Sequence, residues 1–431
     1  IGTGDWSSDV CSSDLFIIRK LYFEISCVVF ALFIFINGAN AQSLNWSGYA
    51  RNYTGMLLTG NNEYTIIQNT LNLNIEQSKD KVAFKANPYI YQYPNQEMEI
   101  GLREAYMDIY FNTVDLRIGK QQIIWGKADG VFITDIVSPK DLSEFLLRDF
   151  DEIRMGITSL KADYYLGDNT FEFVWAPNFT GTRMPDESSI WLPQMDFPVL
   201  PIFDYSQKDV EAKLENSEIF AKFSALTSAI DFEIMGGYMW DDDPTMHITK
   251  TINPQTFQLT GLTVTPQHHR LGLLGGSFSS TIGGFVLRGE GAYYNGKYFN
   301  SEDPTLTDGT VKKNYLHYLI GVDYTLWDIR LSSQFIQQTI LDYDEHINND
   351  EFENTMTVLA SKDFLGKTLR LELFSYIGLN NSDALIRPKI TYDLADGFEL
   401  LLGANIFVGD EGRFGQYDNN DMAYTKIKYS F

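Results

Sequence analysis

Cysteine is nearly absent: Cys11 and Cys27 are the only two in 431 residues, and both fall within the first 41. The remainder therefore has no disulfide, reactive thiol or thiolate metal ligand. Basic residues are also scarce, with 33 Lys and Arg against 57 Asp and Glu and a net charge of −24. A surface that binds nucleic acid must be basic to displace counterions, so that class is excluded, as is charge-driven attraction to anionic headgroups. No apolar run reaches the roughly 20 residues of a spanning helix. Hydrophobic content of 44% with 21% charged residues excludes disorder and a multi-span helical membrane protein alike. What is abundant is aromatic: 25 Tyr, 30 Phe and 7 Trp.

Residues 1–15 resemble a translated sequencing adapter and are set aside. Residues 16–41 follow as a signal peptide: Arg19 and Lys20, an apolar run from Ile25 to Ile36, and the small-residue site Ala39-Asn40-Ala41. Residues 42–431 form a single barrel domain in this reading. Removing Asp5, Asp9, Asp14 and Glu24 with Arg19 and Lys20 leaves it at −22, still strongly acidic.

From Trp46 onward, segments of about 10 to 14 residues with period-two hydrophobicity are separated by two kinds of break. Short breaks such as Ser78 to Lys81, Thr281 to Gly284 and Leu326 to Asp328 alternate with variable ones such as Gly126 to Met155, Asn178 to Lys213 and Trp240 to Gln267. That alternation predicts an all-β fold, a single antiparallel up-and-down transmembrane β-barrel. It has about 18 strands, 16 being the alternative, with short periplasmic turns and long extracellular loops. Leu369, Leu371 and Leu373 would face lipid and Arg370, Glu372 and Tyr376 the lumen; Trp175, Trp240 and Trp327 mark interfacial girdles. The last strand alternates apolar and polar positions and ends on Tyr429 and Phe431, resembling the assembly signal of Gram-negative outer-membrane proteins.

The predicted lumen carries Lys85, Arg117, Arg288, Arg330 and Arg370 just past the short turns, with Glu172, Glu233 and Glu399 at equivalent positions on other strands. Asp108, Glu290 and Glu372 complete the pore-lining set. Segregated charge would orient and filter solutes. Cross-strand pairing is the alternative role, with Glu76 facing Lys85, Asp108 facing Arg117, Asp323 facing Arg330 and Asp363 facing Arg370. In the third external loop, Ser138 as N-cap and Pro139 at the first helical position lead into Leu142, Phe145, Leu146 and Arg148. A short amphipathic helix there would fold inward to constrict the pore or pack on the rim. The next loop, with Ile190, Trp191, Leu200, Ile202 and Phe203, is too apolar for a solvated tip and is expected in the lumen or at an interface.

Residues 102–106 (Leu-Arg-Glu-Ala-Tyr) and Arg117 to Asp129 (RIGKQQIIWGKAD) look like a family of outer-membrane barrels catalogued without known function. The match covers roughly residues 100–165, and the chain is more distantly similar to alginate-export and phosphate-selective porins. The resemblance implies a channel or transporter for hydrophobic or acidic compounds, with no catalytic residues. Gly119 is read as a bulge that keeps Lys120 off the lipid face. The expectation is a passive outer-membrane channel, not an enzyme, without cofactor or metal site. Its partners would be outer-membrane lipid and lipopolysaccharide, the barrel-assembly machinery and a small-molecule solute, with a homotrimer as the porin analogy. A barrel-embedded lipid hydrolase or a structural, adhesive barrel are the alternatives. Against the hydrolase, no Ser stands two residues along the strand from His317.

Overall fold

A computed structural model describes residues 44–60, 62–94, 96–193 and 197–431. The adapter-like segment and the signal peptide lie outside the described residues. The strands are β1 (Asn45–Leu57), β2 (Tyr64–Lys79), β3 (Val82–Gln92), β4 (Glu99–Tyr110), β5 (Val114–Gln121), β6 (Ile157–Leu166), β7 (Asn169–Ala176), β8 (Pro201–Phe203), β9 (Glu218–Leu226), β10 (Asp231–Trp240), β11 (Thr245–Ile252), β12 (Leu259–Gln267), β13 (Arg270–Ile282) and β14 (Phe285–Asn300). They continue as β15 (Thr310–Leu326), β16 (Ile329–Ile340), β17 (Phe352–Phe364), β18 (Leu369–Gly378), β19 (Asp383–Ala395), β20 (Phe398–Val408) and β21 (Met422–Ser430).

Eighteen of these pair antiparallel with their neighbours, and β1 with β21 closes the sheet into a barrel. At one end the connections are two to four residues long; at the other they run from four residues to about forty. Tight turns are made by residues that accept a left-handed backbone, such as Gly283-Gly284 and the non-glycine pair Trp327-Asp328. The period-two pattern fixes the faces. Ile118, Ile234, Leu274, Ile320, Phe335, Leu373, Ile390, Leu402 and Ile427 point outward on nine strands around the wall and are exposed. Such a continuous apolar belt is suited to lipid and far exceeds the patches of a soluble surface.

Three departures from the sequence expectations have physical causes. First, β8, β11 and β12 form a separate three-stranded sheet within the long loops, with β8 parallel to β12. Second, no helix begins at Ser138. Its hydroxyl accepts a hydrogen bond from Ile123 N, 2.8 Å away, and Asp141 accepts from Ser143 N instead, so the segment folds as turns. Its one helical piece is the four residues Phe150–Ile153. Third, the ladder runs through Gly119 without a register shift; the bulge is opposite Asn87-Pro88, where Arg103 is left unpaired. Proline at residue 88 has no N–H for the ladder, which accounts for the break there.

Candidate functional site: a barrel interior closed by its own loop

The loop joining β5 to β6, residues 122–156, descends through the barrel. Its depth is fixed by Asp129, which reaches Arg288 at 2.7 Å and Arg330 at 3.3 Å. Arg330 is the second residue after a short turn, so the loop extends almost to the far end of the wall. Its breadth is fixed by contacts on all sides. Trp125 Nε1 donates to Glu172 on β7 at 2.6 Å, Lys127 pairs with Glu233 on β10 at 3.4 Å, and Thr134 Oγ1 donates to Glu290 on β14 at 2.9 Å. Gly130 O accepts from Tyr376 on β18 at 2.7 Å, and Leu146 O and Leu147 O accept from Arg387 on β19.

Two apolar clusters fill the space between loop and wall. Ile123, Trp125, Ile133, Ile136 and Val137 pack against Val174, Phe220, Met235, Leu273, Leu319 and Ile336. Leu146, Leu147 and Ile153 pack against Tyr53, Tyr376, Leu385, Phe407 and Tyr424, joined by Trp191 from the following loop. Burying this many large side chains, at about 1.5–3 kcal/mol each, makes the loop a packed stopper rather than a mobile flap.

A buried charge network pins the stopper on the β1 side. Arg51 donates to Asp149 and to Glu152, both at 3.0 Å; Lys426 reaches Asp149 at 2.7 Å; Arg103 reaches Glu152 at 3.4 Å; Tyr49 donates to Glu152 at 2.8 Å. Arg154 and Asp135 pair within the loop at 2.5 Å. Arg148 bonds to Asp141 and Glu144 and so stays inside the loop. Below this network a cavity of about 490 Å³ opens at the short-turn end, lined by Tyr49, Asn72, Lys85, Asn87, Arg103 and Asp151 among others.

Every predicted lumen charge has an opposite partner or a backbone donor. Arg117 with Asp108 and Arg370 with Asp363 pair at 2.7 Å, as the turn symmetry predicts. Lys85 stands opposite Glu76 in register, yet its ammonium goes to Glu104 at 3.2 Å. Asp323 does not meet Arg330: the two-residue turn at Trp327-Asp328 sets Arg330 opposite Thr325, and Asp323 binds Arg288 at 2.5 Å instead. Glu172 pairs with Lys222, Glu372 with Lys389 and Glu399 with Lys428. Glu290 accepts from Lys127 N and Thr134 N.

Of the constriction residues, Ser138, Leu142 and Phe145 lie in the stopper, Phe145 packing tilted against Tyr417 with ring centroids 4.8 Å apart. Pro139 O accepts from Met155 N, closing the loop on itself. Phe431 zips the seam, exchanging two backbone bonds with Gly48 and packing its ring on Trp46, while Tyr429 lies on the outer face. Among the described apolar residues of the following loop, Trp191 alone is buried; Leu200 is 92% exposed and Ile202 68%. The network of Arg51, Asp149, Glu152, Arg387 and Lys426 went unread in the sequence, because nothing local marks side chains that meet across hundreds of residues.

On the external loops, His247 and His269 meet through their Nε2 atoms at 2.7 Å, and His247 Nδ1 lies 2.9 Å from Asp308. Burial and the neighbouring His247 push the His269 imidazole down to about 4.

A family model described as a protein of unknown function (DUF1302) matches residues 59–350. The chain belongs to this family. No curated protein matches it. Among solved structures it is similar to *Pseudomonas aeruginosa* OccK8 (OprE), at 10% identity and TM-score 0.52 over 90% of this chain and 98% of that one. It is likewise similar to *P. aeruginosa* OccK2 (OpdF) in complex with glucuronate, at 11% identity and TM-score 0.54 over 90% and 98%. *P. aeruginosa* OpdL gives 11% identity and TM-score 0.54 over 91% and 99%. At these identities the likeness is one of fold: this DUF1302 chain folds as a closed 18-stranded barrel of the kind seen in outer-membrane porins.

Proposed function

We propose that the protein is a passive outer-membrane channel for small polar, acidic or amphipathic solutes, closed in this conformation by the loop of residues 122–156. The observation that carries the reading is the placement of that loop: a barrel with a lipid-suited exterior is filled by one of its own connections, held to the wall by apolar packing, ion pairs and hydrogen bonds from wall side chains. Opening is assigned to the β1 side, where an ionic network adjoins the apolar cluster around Tyr53 and a polar cavity lies beneath. The opposite side, by β10 to β16, combines a packed apolar core with the ion pairs of Lys127 with Glu233 and Asp129 with Arg288. Arg51, Arg103, Arg387 and Lys426 give the interior a cationic surface once their loop partners leave, which favours acidic solutes; glucuronate bound by OccK2 is in keeping with this.

The proposal includes export directed by residues 16–41, surrounding outer-membrane lipid and lipopolysaccharide, and insertion by the barrel-assembly machinery through Tyr429 and Phe431. A homotrimer is its porin analogy. It makes the protein a conduit rather than a hydrolase. Planar-bilayer recording tests it: wild-type protein is expected to show rare or small openings, and deletion of residues 128–154 should produce large, steady conductance. If the deletion variant inserts as a folded barrel and conducts no ions, the channel reading is wrong.

A further inference from the structure

We propose that His247 and His269 bind a divalent transition-metal cation on the external loops, with Asp308 orienting the first imidazole. The inference is independent of solute passage. His247 lies on β11, His269 immediately before β13, and Asp308 in the connection between β14 and β15, so three elements far apart in sequence converge. The carboxylate of Asp308, 2.9 Å from His247 Nδ1, fixes the proton on that nitrogen and leaves Nε2 as a lone pair. That lone pair faces His269 Nε2 at 2.7 Å. In the metal-free form His269 Nε2–H donates across the gap.

A carboxylate on one imidazole nitrogen, with the other nitrogen aimed at a second imidazole, is the outer-shell arrangement by which proteins orient histidine ligands. Imidazole nitrogen suits zinc, copper and nickel. At metal–nitrogen distances of about 2.0–2.1 Å, a tetrahedral cation needs the two nitrogens roughly 3.3 Å apart, so the rings separate by about half an ångström. The His269 proton moves through solvent to Nδ1, both imidazoles stay neutral, and charge balances with no net proton released. The His269 ring stacks on Tyr298, with centroids 3.8 Å apart, while its carbonyl accepts from Asp241 N, so the shift is a rotation of the ring alone and is small in cost.

His268 faces away, its Nδ1 2.7 Å from Asp241 O. Among the described residues no third His, Cys, Asp or Glu completes the set. Water fills the remaining positions, and copper binds most tightly by the general order of divalent affinities.

The test is titration of the full-length, tag-free protein in detergent with Cu²⁺ and Zn²⁺, followed by calorimetry, with electron paramagnetic resonance of the copper form. The expected result is one cation per chain with two nitrogen ligands. His247→Ala and His269→Ala should each weaken binding at least tenfold. Asp308→Asn should weaken it by roughly 10–100-fold while keeping the nitrogen signature, and His346→Ala, on a different loop, should leave it unchanged. Wild-type protein that binds neither cation overturns the proposal whatever the variants do. So does binding that survives in the double histidine variant.

Discussion

Arg51 is 7% exposed and holds two loop carboxylates at once. Removing it leaves Asp149 to Lys426 and Glu152 to Arg103 and Tyr49, so the loss stays below the roughly 3–5 kcal/mol of a buried charge left wholly unpaired. Arg51→Ala is therefore expected to loosen the stopper without unfolding the wall, raising open probability in bilayers while the barrel keeps its compact mobility on unheated gels. Conductance identical to wild type would place the decisive anchor elsewhere. Arg370 and Asp363 form the contrasting case, an exposed pair that solvent and salt screen to little net stability. Arg370→Gln should leave stability unchanged and, by freeing Asp363, shift the reversal potential of the open, loop-deleted channel toward cations. Adding Asp363→Asn should restore it, and a shift that persists in the double variant would show that the pair does not set the local field.

Among the elements, β5 depends on Gly119, whose backbone has φ +132. A Cβ there would lie 2.3 Å from Ala105 O and 2.8 Å from Tyr106 Cα. Gly119→Ala is expected to lower the urea midpoint of the folded barrel, the positive φ alone costing about 1–3 kcal/mol; an unchanged midpoint would mean that β4 and β5 part easily. The wall was legible in the sequence because period two and turn residues are local signals, and every short break coincides with an observed turn. Pairing across turns was legible to the extent that turn length was: Asp108 with Arg117 came out correctly, and Asp323 with Arg330 failed over one residue at Trp327. For the 122–156 segment the sequence left an inward course and packing on the rim as equal alternatives, and it did not show the conformation. Ser138 and Pro139 carry a helix-start pattern that tertiary hydrogen bonds to Ile123 and Met155 override. The small sheet of β8, β11 and β12 was missed because strand patterning does not reveal whether a strand joins the wall or stands outside it.

For the molecule as a whole, the seam between β1 and β21 decides whether there is an inside at all. Phe431 contributes two backbone bonds to Gly48 and a ring contact to Trp46 at that seam. Deleting it is expected to reduce the folded, heat-modifiable fraction recovered from membranes severalfold; undiminished recovery would show that closure and assembly do not require it. The stopper adds a condition on order of events. Its Asp149 bonds Lys426, 277 residues later, and its Leu146 carbonyl bonds Arg387, 241 residues later. Residues 122–156 are made long before β19 and β21, which supply Arg387 and Lys426, and contacts of such sequence separation form slowly. The loop must therefore wait, unseated, until the last strand is in place, so its seating is a late step that can serve as a clock for completion of the wall.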